Sequence, residues 1–318
     1  MRPNFDYQAR ALAVEQKARS QLVEALSNRQ DPRELDVLKT LRHAFTSEAC
    51  VRDLFASLPN ESADLYCGTL GEAKVGIKYL RSFNAGQPEQ VSTKAKKLFF
   101  REAILWFNIE HGNILKFQGV CNPSVVNRND QHGLCMVLEW AENKDIVKHL
   151  DHLVSEGLAG DEYLRMVNRW LLQIAQGLAC LHSFGIVHGD LRGINILVNK
   201  MGIALLTDFG LSVIADVGAS FTESHGINSV PWAAPELLDA DKDARPTCKG
   251  DMYAFGCTCV ELYSNATPYG AMSTKQIMHI DDKLWELIKK CWKKKPSKRP
   301  IANEIIKKLH DIFPYLAS

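Results

Sequence analysis

The chain has 318 residues, a formal net charge of +1 and 46% hydrophobic residues. A charge this close to zero argues against nucleic acid as a bulk partner, and the absence of an 18-residue apolar run argues against membrane insertion. Nine cysteines without a CxxC pair favour reduced thiols over disulfides or a zinc site. With no apolar segment near Met1 typical of a signal peptide, we expect an intracellular protein, cytoplasmic and with the nucleus as a second compartment.

Residues 1–47 are predicted to form a helical arm. Apolar residues recur every three or four positions on both sides of residues 28–32. Asp31 fits the N-cap of the second helix, and Pro32 fits its first helical position. We interpret the arm as a helical hairpin packed on the main domain, and a docking element for a regulatory partner is the alternative.

The central feature of the sequence is a pair of acids and an amide around a short hairpin. Asp190 and Asn195 lie five residues apart, and a predicted hairpin over residues 196–206 leads from them to Asp208. This order predicts that the three side chains meet at one end of a small sheet. Such a group suits Mg²⁺ bound to a polyphosphate, with one carboxylate left for an incoming hydroxyl. The alternative is a hairpin whose acids only cap turns.

Residues 188–195, 208–210 and 234–236 resemble the catalytic loop, the DFG motif and the APE motif of the protein kinases. The form of the first segment, and of residues 232–236, is most similar to the tyrosine-kinase-like group, especially its fungal members. The resemblance extends from about residue 50 to the end of the sequence.

This resemblance implies a bilobal α+β fold. Its small N-lobe, about 48–140, would hold an antiparallel sheet and one αC helix. The larger C-lobe, about 141–318, would be mainly helical, and the N-terminal arm would precede both lobes.

The resemblance also implies catalytic roles. Lys78, on a predicted strand, would pair with the α- and β-phosphates of ATP, and Glu102, on a helix predicted over 94–107, would pair with Lys78. Asp190 would accept or orient the substrate hydroxyl. Arg192 would offer a cation to the γ-phosphate.

The cofactors implied are ATP and Mg²⁺. The implied binding residues lie in the lysine strand, the hinge after the fifth strand, the catalytic loop and the hairpin: Lys78, Leu138, Glu139, Ala141, Asn195, Leu197 and Asp208. Of these, Asn195 and Asp208 would hold the metal. Leu138 would be the gatekeeper beside adenine.

Other residues are expected to hold the fold. Histidine side chains ordinarily titrate near neutrality, so His188 is a candidate catalytic base by residue type, but the family favours a packing role for it. The expected structural contacts are Trp106 and His188 with the 208–210 segment, Asp251 with the catalytic-loop backbone, and Glu236 with Arg299.

The sequence departs from the family at three places, one of which is a shortened segment before Asp281, where His279 and Ile280 follow directly on residues 276–278. The three glycines of the nucleotide-covering loop are expected near Leu58, Asn60 and Ala63, and none is glycine. Glycine is used there because backbone N–H groups must approach the phosphates closely, and Pro59 removes one such donor. Gly189 replaces the arginine that neutralises an activation-segment phosphate, which argues against that mode of switching.

We therefore predict an ATP-dependent protein kinase that phosphorylates serine or threonine, or tyrosine, on a protein substrate. The alternative is a pseudokinase, a signalling scaffold that binds nucleotide or acts without it. The lost glycines and the shortened segment before Asp281 motivate it. Against that alternative, Asp190, Asn195 and Asp208 are all present. A small-molecule kinase of related fold is disfavoured by the Glu236 and Arg299 pair.

Overall fold

The computed structural model describes residues 51–59, 64–80, 103, 106–107, 109–121, 134–209, 227–238, 245–268 and 280–317. They belong to two compact units. The first contains the strands up to Leu138, and the second begins at Glu139 and includes Leu105–Lys116. That last segment was predicted in the N-lobe. The predicted arm and most of the predicted αC helix, including Glu102, lie outside the described residues.

The first unit is built on a five-stranded sheet in the order β1-β2-β3-β5-β4. Its strands are β1 (Val51–Pro59), β2 (Asp64–Leu70), β3 (Ala73–Leu80), β4 (Phe117–Cys121) and β5 (Leu134–Glu139). The pairs β1–β2, β2–β3 and β4–β5 are antiparallel. The β2–β3 turn uses Gly71 at φ +62°, a conformation that glycine adopts without strain.

One face of this sheet forms the core of the first unit. Val75, Ile77 and Tyr79 alternate along β3 and pack with Cys121, Cys135 and Val137 of the neighbouring strands. Lys78 lies between two of these residues, so its side chain belongs to the opposite face, where it is half-buried. Lys78 therefore lies on a strand, as the sequence predicts.

The β1–β2 hairpin corrects one expectation. Leu58 pairs with Leu65 and Pro59 pairs with Asp64, so the ladder continues to the end of β1. Leu58 is therefore a strand residue rather than the first position of a glycine-type loop. Proline is tolerated here because it occupies the strand end, where a missing N–H donor costs little. Only residues 60–63 can form the connection, and they lie outside the described residues.

The second unit is mainly helical. Its helices are α1 (Ile146–Ser155), α2 (Gly160–Ser183), α3 (Cys248–Ser264), α4 (Asp282–Cys291) and α5 (Ala302–Ile312). Helix α2, predicted over 163–184, ends just before Gly185, whose φ of +70° stops the helix. Helix α3 is buried on all sides from Gly250 to Ser264, as is typical of a central core helix.

A two-stranded hairpin completes the second unit. Strands β6 (Ile196–Val198) and β7 (Ala204–Leu206) pair antiparallel, with Leu197 opposite Leu205. The sheet of one unit and the helices of the other confirm the predicted α+β fold. Within the described ranges, no helix combines the length and the apolar character needed to cross a membrane.

Candidate active site

The catalytic loop holds Asp190 and Asn195 in direct contact. Residues Gly193–Asn195 form a short 3-10 turn immediately before β6. This turn allows the Asn195 amide Nδ2 to donate to the Asp190 carboxylate Oδ2 at 2.8 Å and to the Asp190 carbonyl at 2.7 Å. The carboxylate is therefore held in one orientation, and the Asn195 side-chain carbonyl is the group that can face a cation.

Asp208 lies beside this loop because β7 returns to it. The N–H of Thr207 donates to the carbonyl of Asn195 at 3.1 Å, which fixes the backbone immediately before Asp208. Asp208 itself has φ +57°, a left-handed conformation that aspartate tolerates better than most residues. The structure thus joins the Asp190 and Asn195 side chains directly and brings the backbone before Asp208 next to Asn195.

This donor set fits Mg²⁺. A carboxylate and an amide carbonyl are hard oxygen ligands, and Mg²⁺ in phosphate-transfer sites takes few protein ligands and completes its shell with phosphates and water. Among the described residues there is no group of three or more His, Cys, Asp and Glu that could hold a metal alone. The oxygen donors of Asn195 and Asp208 fit the small number of protein ligands that Mg²⁺ takes when phosphates complete its shell.

Asp251 anchors the backbone of the catalytic loop. Its two carboxylate oxygens accept the N–H groups of His188 and Gly189, each at 2.8 Å. His182 Nε2 lies 2.8 Å from the same carboxylate. Burial alone would lower the pKa of His182, but its hydrogen bonds to Asp251 and Cys248 and the charges of those groups raise the pKa to about 9. The predicted contact of Asp251 is present, whereas no pattern in the sequence indicated the contact of His182.

The region around Phe209 contains both predicted packing residues. Trp106 lies 4.7 Å from Phe209 between ring centroids, and its Nε1 donates to the carbonyl of Leu115 at 2.6 Å. His188 meets Phe209 edge-on at 6.3 Å and is fully buried. Burial lowers the pKa of His188, although the charges of nearby aspartates oppose the shift. A buried, neutral imidazole supports the packing role over that of a catalytic base.

Arg192 is directed toward residues 227–232. Its Nη1 donates to the Ser229 hydroxyl at 3.1 Å, and its guanidinium lies 5.1 Å from the centre of the Trp232 ring. This geometry is a hydrogen bond combined with a cation–π contact. Arg192 therefore links the catalytic loop to the residues before Ala234, and its contact with a γ-phosphate stays a prediction.

Glu261 is a site residue that sequence reasoning missed. From helix α3, its Oε2 accepts the N–H of Gly193 and the indole Nε1–H of Trp232, both at 2.9 Å. Burial raises its pKa to about 7, against the opposing effect of these bonds and of the nearby Arg192 charge. A side chain at Gly193 would clash, since its Cβ would lie 2.4 Å from Val147. The one signal in the sequence is an acid within an apolar run.

Glu236 and Arg299 form the predicted buried pair. The two guanidinium Nη atoms donate to the two carboxylate oxygens at 2.6 and 2.7 Å. Arg299 also donates from Nε to the carbonyl of Lys293 and from Nη1 to that of Lys249, and its side chain is 0% exposed. All these contacts are structural, so the pair fastens residues 235–237 to the helical unit.

The binding roles of the predicted nucleotide residues stay predictions, and the structure gives the positions of most of them. Leu138 and Ala141 are buried, and Leu197 is half-buried in β6. The N–H of Glu139 donates to the carbonyl of Lys116 at 2.9 Å, and the adenine contact expected of the hinge backbone stays a prediction. Lys78 occupies β3 as predicted, whereas its expected partner Glu102 is among the residues that the structure does not describe.

Comparison with known proteins identifies the family. The sequence profile of the protein tyrosine and serine/threonine kinases matches residues 65–309. A probable serine/threonine-protein kinase of Dictyostelium discoideum is 27% identical over 76% of this chain and 27% of its own length. The serine/threonine-protein kinase PkaB of Streptomyces coelicolor is 27% identical over 80% of this chain and 60% of its own length.

A serine/threonine/tyrosine-protein kinase of Arabidopsis thaliana is likewise 27% identical, over 82% of this chain and 65% of its own length. The match thus spans less than two thirds of each relative. The profile covers most of the chain and includes both Asp190 and Asp208. The chain belongs to the protein tyrosine and serine/threonine kinase family.

Proposed function

We propose that this protein is an ATP-dependent protein kinase that transfers a phosphoryl group from Mg-ATP to a serine or threonine hydroxyl of a protein substrate. The observation that carries the proposal is the contact between Asp190 and Asn195, with Asp208 beside them. The names of the relatives favour serine and threonine, and the Arabidopsis relative keeps tyrosine as an alternative acceptor.

Asp190 orients the substrate hydroxyl and accepts its proton as the oxygen attacks phosphorus. The Asn195 amide keeps its carboxylate aligned, so little reorganisation is needed when the substrate binds. Asn195 and Asp208 hold Mg²⁺, which supplies positive charge to the phosphates when bound. Lys78 with Glu102 positions the phosphates, and Arg192 supports the charge that develops on them.

The group within the kinase family is proposed from the form of two sequence segments. We place the chain in the fungal branch of the tyrosine-kinase-like group, on the form of residues 188–195 and 232–236. We also propose that it acts inside the cell, on a protein partner. The helical arm over residues 1–47 is a candidate docking element for a regulatory protein.

A pseudokinase scaffold is the second candidate. It is favoured by residues 60–63, which contain no glycine although they must connect β1 to β2. It is also favoured by Arg192, whose guanidinium is engaged by Ser229 and Trp232. Both features weaken the phosphate contacts available to an enzyme, and neither removes Asp190 or Asp208.

Thermal unfolding with ATP, with and without Mg²⁺, separates the two candidates. A ligand at about 100 times its dissociation constant stabilises the folded protein by roughly 2.7 kcal/mol, which raises the midpoint clearly. We expect a Mg²⁺-dependent rise that is lost in Lys78→Met and in Asp208→Asn. Asp161→Asn, at an exposed position of α2, is the matched control and should keep the rise. No rise at millimolar nucleotide would favour the scaffold.

Phosphoryl transfer to a generic protein substrate tests the role of Asp190. We expect Asp190→Asn to abolish transfer from radiolabelled ATP while keeping the Mg²⁺-dependent thermal shift. The amide fills the same space but cannot accept the hydroxyl proton. Transfer by this variant at the wild-type rate would overturn the assignment.

A further inference from the structure

Two cysteines face each other across the β4–β5 pair of the first unit. Cys121, the last residue of β4, is the direct cross-strand partner of Cys135 in β5. Directly opposed residues in an antiparallel pair have Cβ atoms about 4.5–5.5 Å apart. A disulfide needs about 3.5–4.5 Å between the same atoms, so a small approach of the two strands is sufficient.

The two thiols already interact. Both are buried and outside any disulfide, at 7% exposure for Cys121 and 1% for Cys135. A thiol–thiol hydrogen bond from Cys135 lowers the pKa of Cys121, against the opposing effect of burial. Cys121 is thus the more exposed member and the one whose thiolate is stabilised, and the thiolate is the reactive form.

We propose that Cys121 and Cys135 are a redox pair that closes reversibly to a cross-strand disulfide when the protein meets hydrogen peroxide. Both side chains pack with Ile77 and Tyr79, on the sheet face opposite Lys78. The bridge therefore forms inside the core, on the sheet face that does not carry Lys78. It joins β4 covalently to β5, the strand that ends at Leu138 and Glu139.

The reaction proceeds in two balanced steps. The Cys121 thiolate attacks one peroxide oxygen and the O–O bond breaks, which yields Cys121 sulfenic acid and, after protonation, one water. The Cys135 sulfur then attacks the Cys121 sulfur, an S–S bond forms, and the hydroxyl leaves as a second water with the Cys135 proton. Two thiols are oxidised and one peroxide is reduced. A dithiol reductant reverses the change.

The test uses the whole folded chain and does not depend on phosphotransferase activity. The protein is treated with hydrogen peroxide, remaining thiols are alkylated, and protease peptides are analysed by mass spectrometry. We expect a Cys121–Cys135 linked peptide to be the main cysteine product, and we expect dithiothreitol to remove it. Alkylation of both cysteines to the same extent with and without peroxide would overturn the proposal, as would linkage of Cys121 to another cysteine.

Three variants sharpen the result. In Cys135→Ser the resolving thiol is gone, so Cys121 should stop at sulfenic acid and be trapped by dimedone. In Cys121→Ser we expect Cys135 to remain a thiol. Cys67→Ser is the matched control because Cys67 is buried in the same sheet but faces Ala56 and Gly76 across the neighbouring strands. This variant should keep the linked peptide, and its loss there would contradict a pair defined by register.

Discussion

Glu261 makes the stability of the helical unit depend on pH. Its pKa is raised to about 7, above the value of 4.5 expected for an exposed glutamate. The folded protein therefore holds this proton more tightly than the unfolded chain does. The resulting stabilisation is fully present below about pH 4.5 and is lost as the pH rises through about 7.

The substitution Glu261→Gln isolates this effect. Glutamine has nearly the same shape, and its amide oxygen can accept from Gly193 and Trp232 as the single Oε2 atom does now. It does not titrate. A pKa difference of one unit corresponds to about 1.36 kcal/mol, so the wild-type protein should lose about 2 to 3 kcal/mol relative to the variant between pH 5 and pH 8.

Urea unfolding followed by tryptophan fluorescence measures this difference at each pH. Other titrating groups, including His182, are present in both proteins and cancel in the comparison. Glu286→Gln is the control, because Glu286 lies at the exposed surface of α4, and its curve should run parallel to that of the wild type. A free-energy difference between Glu261→Gln and wild type that stays constant from pH 5 to pH 8 would refute the reasoning.

Two further substitutions, each with a control substitution, test the packing of the same unit by urea unfolding. Glu236→Ala leaves the buried Arg299 without its carboxylate and should cost about 3–5 kcal/mol, whereas Asp311→Ala breaks only an exposed pair and should cost little. Equal costs would contradict the buried-pair argument. Gly177→Ala places a Cβ 2.8 Å from backbone and side-chain atoms and should cost about 1–3 kcal/mol. Gly250→Ala meets only an ordinary 3.5 Å contact and should fold nearly as well, so a larger loss there would oppose this reading.

The parts of the site predicted from sequence are those fixed by local spacing. Asp190, Asn195 and Asp208 are joined by a short hairpin, so their separation along the chain almost determines their separation in space. Helix α2 ended where Gly185 stops it, for the same local reason. The contacts of Asp251 and Arg299 were expected from the family resemblance rather than from spacing.

The residues that escaped prediction act over long separations. Glu261 reaches Gly193 across 68 positions, and His182 reaches Asp251 across 69. No periodicity in the sequence encodes such a contact, because it depends on how α3 packs beneath the catalytic loop. Leu58 was expected near a glycine position of the loop from the family resemblance, and the pairing of β1 with β2 places it in a strand.

The glycine at position 189 changes how the loop tolerates mutation. Its φ is +79°, a conformation that costs residues other than glycine about 1 kcal/mol or more. With a larger side chain at position 189, this conformation would be strained. The hydrogen bonds to the Asp251 carboxylate would then have to offset that strain. Glycine adopts this φ without strain, so the catalytic loop keeps its backbone conformation without this cost.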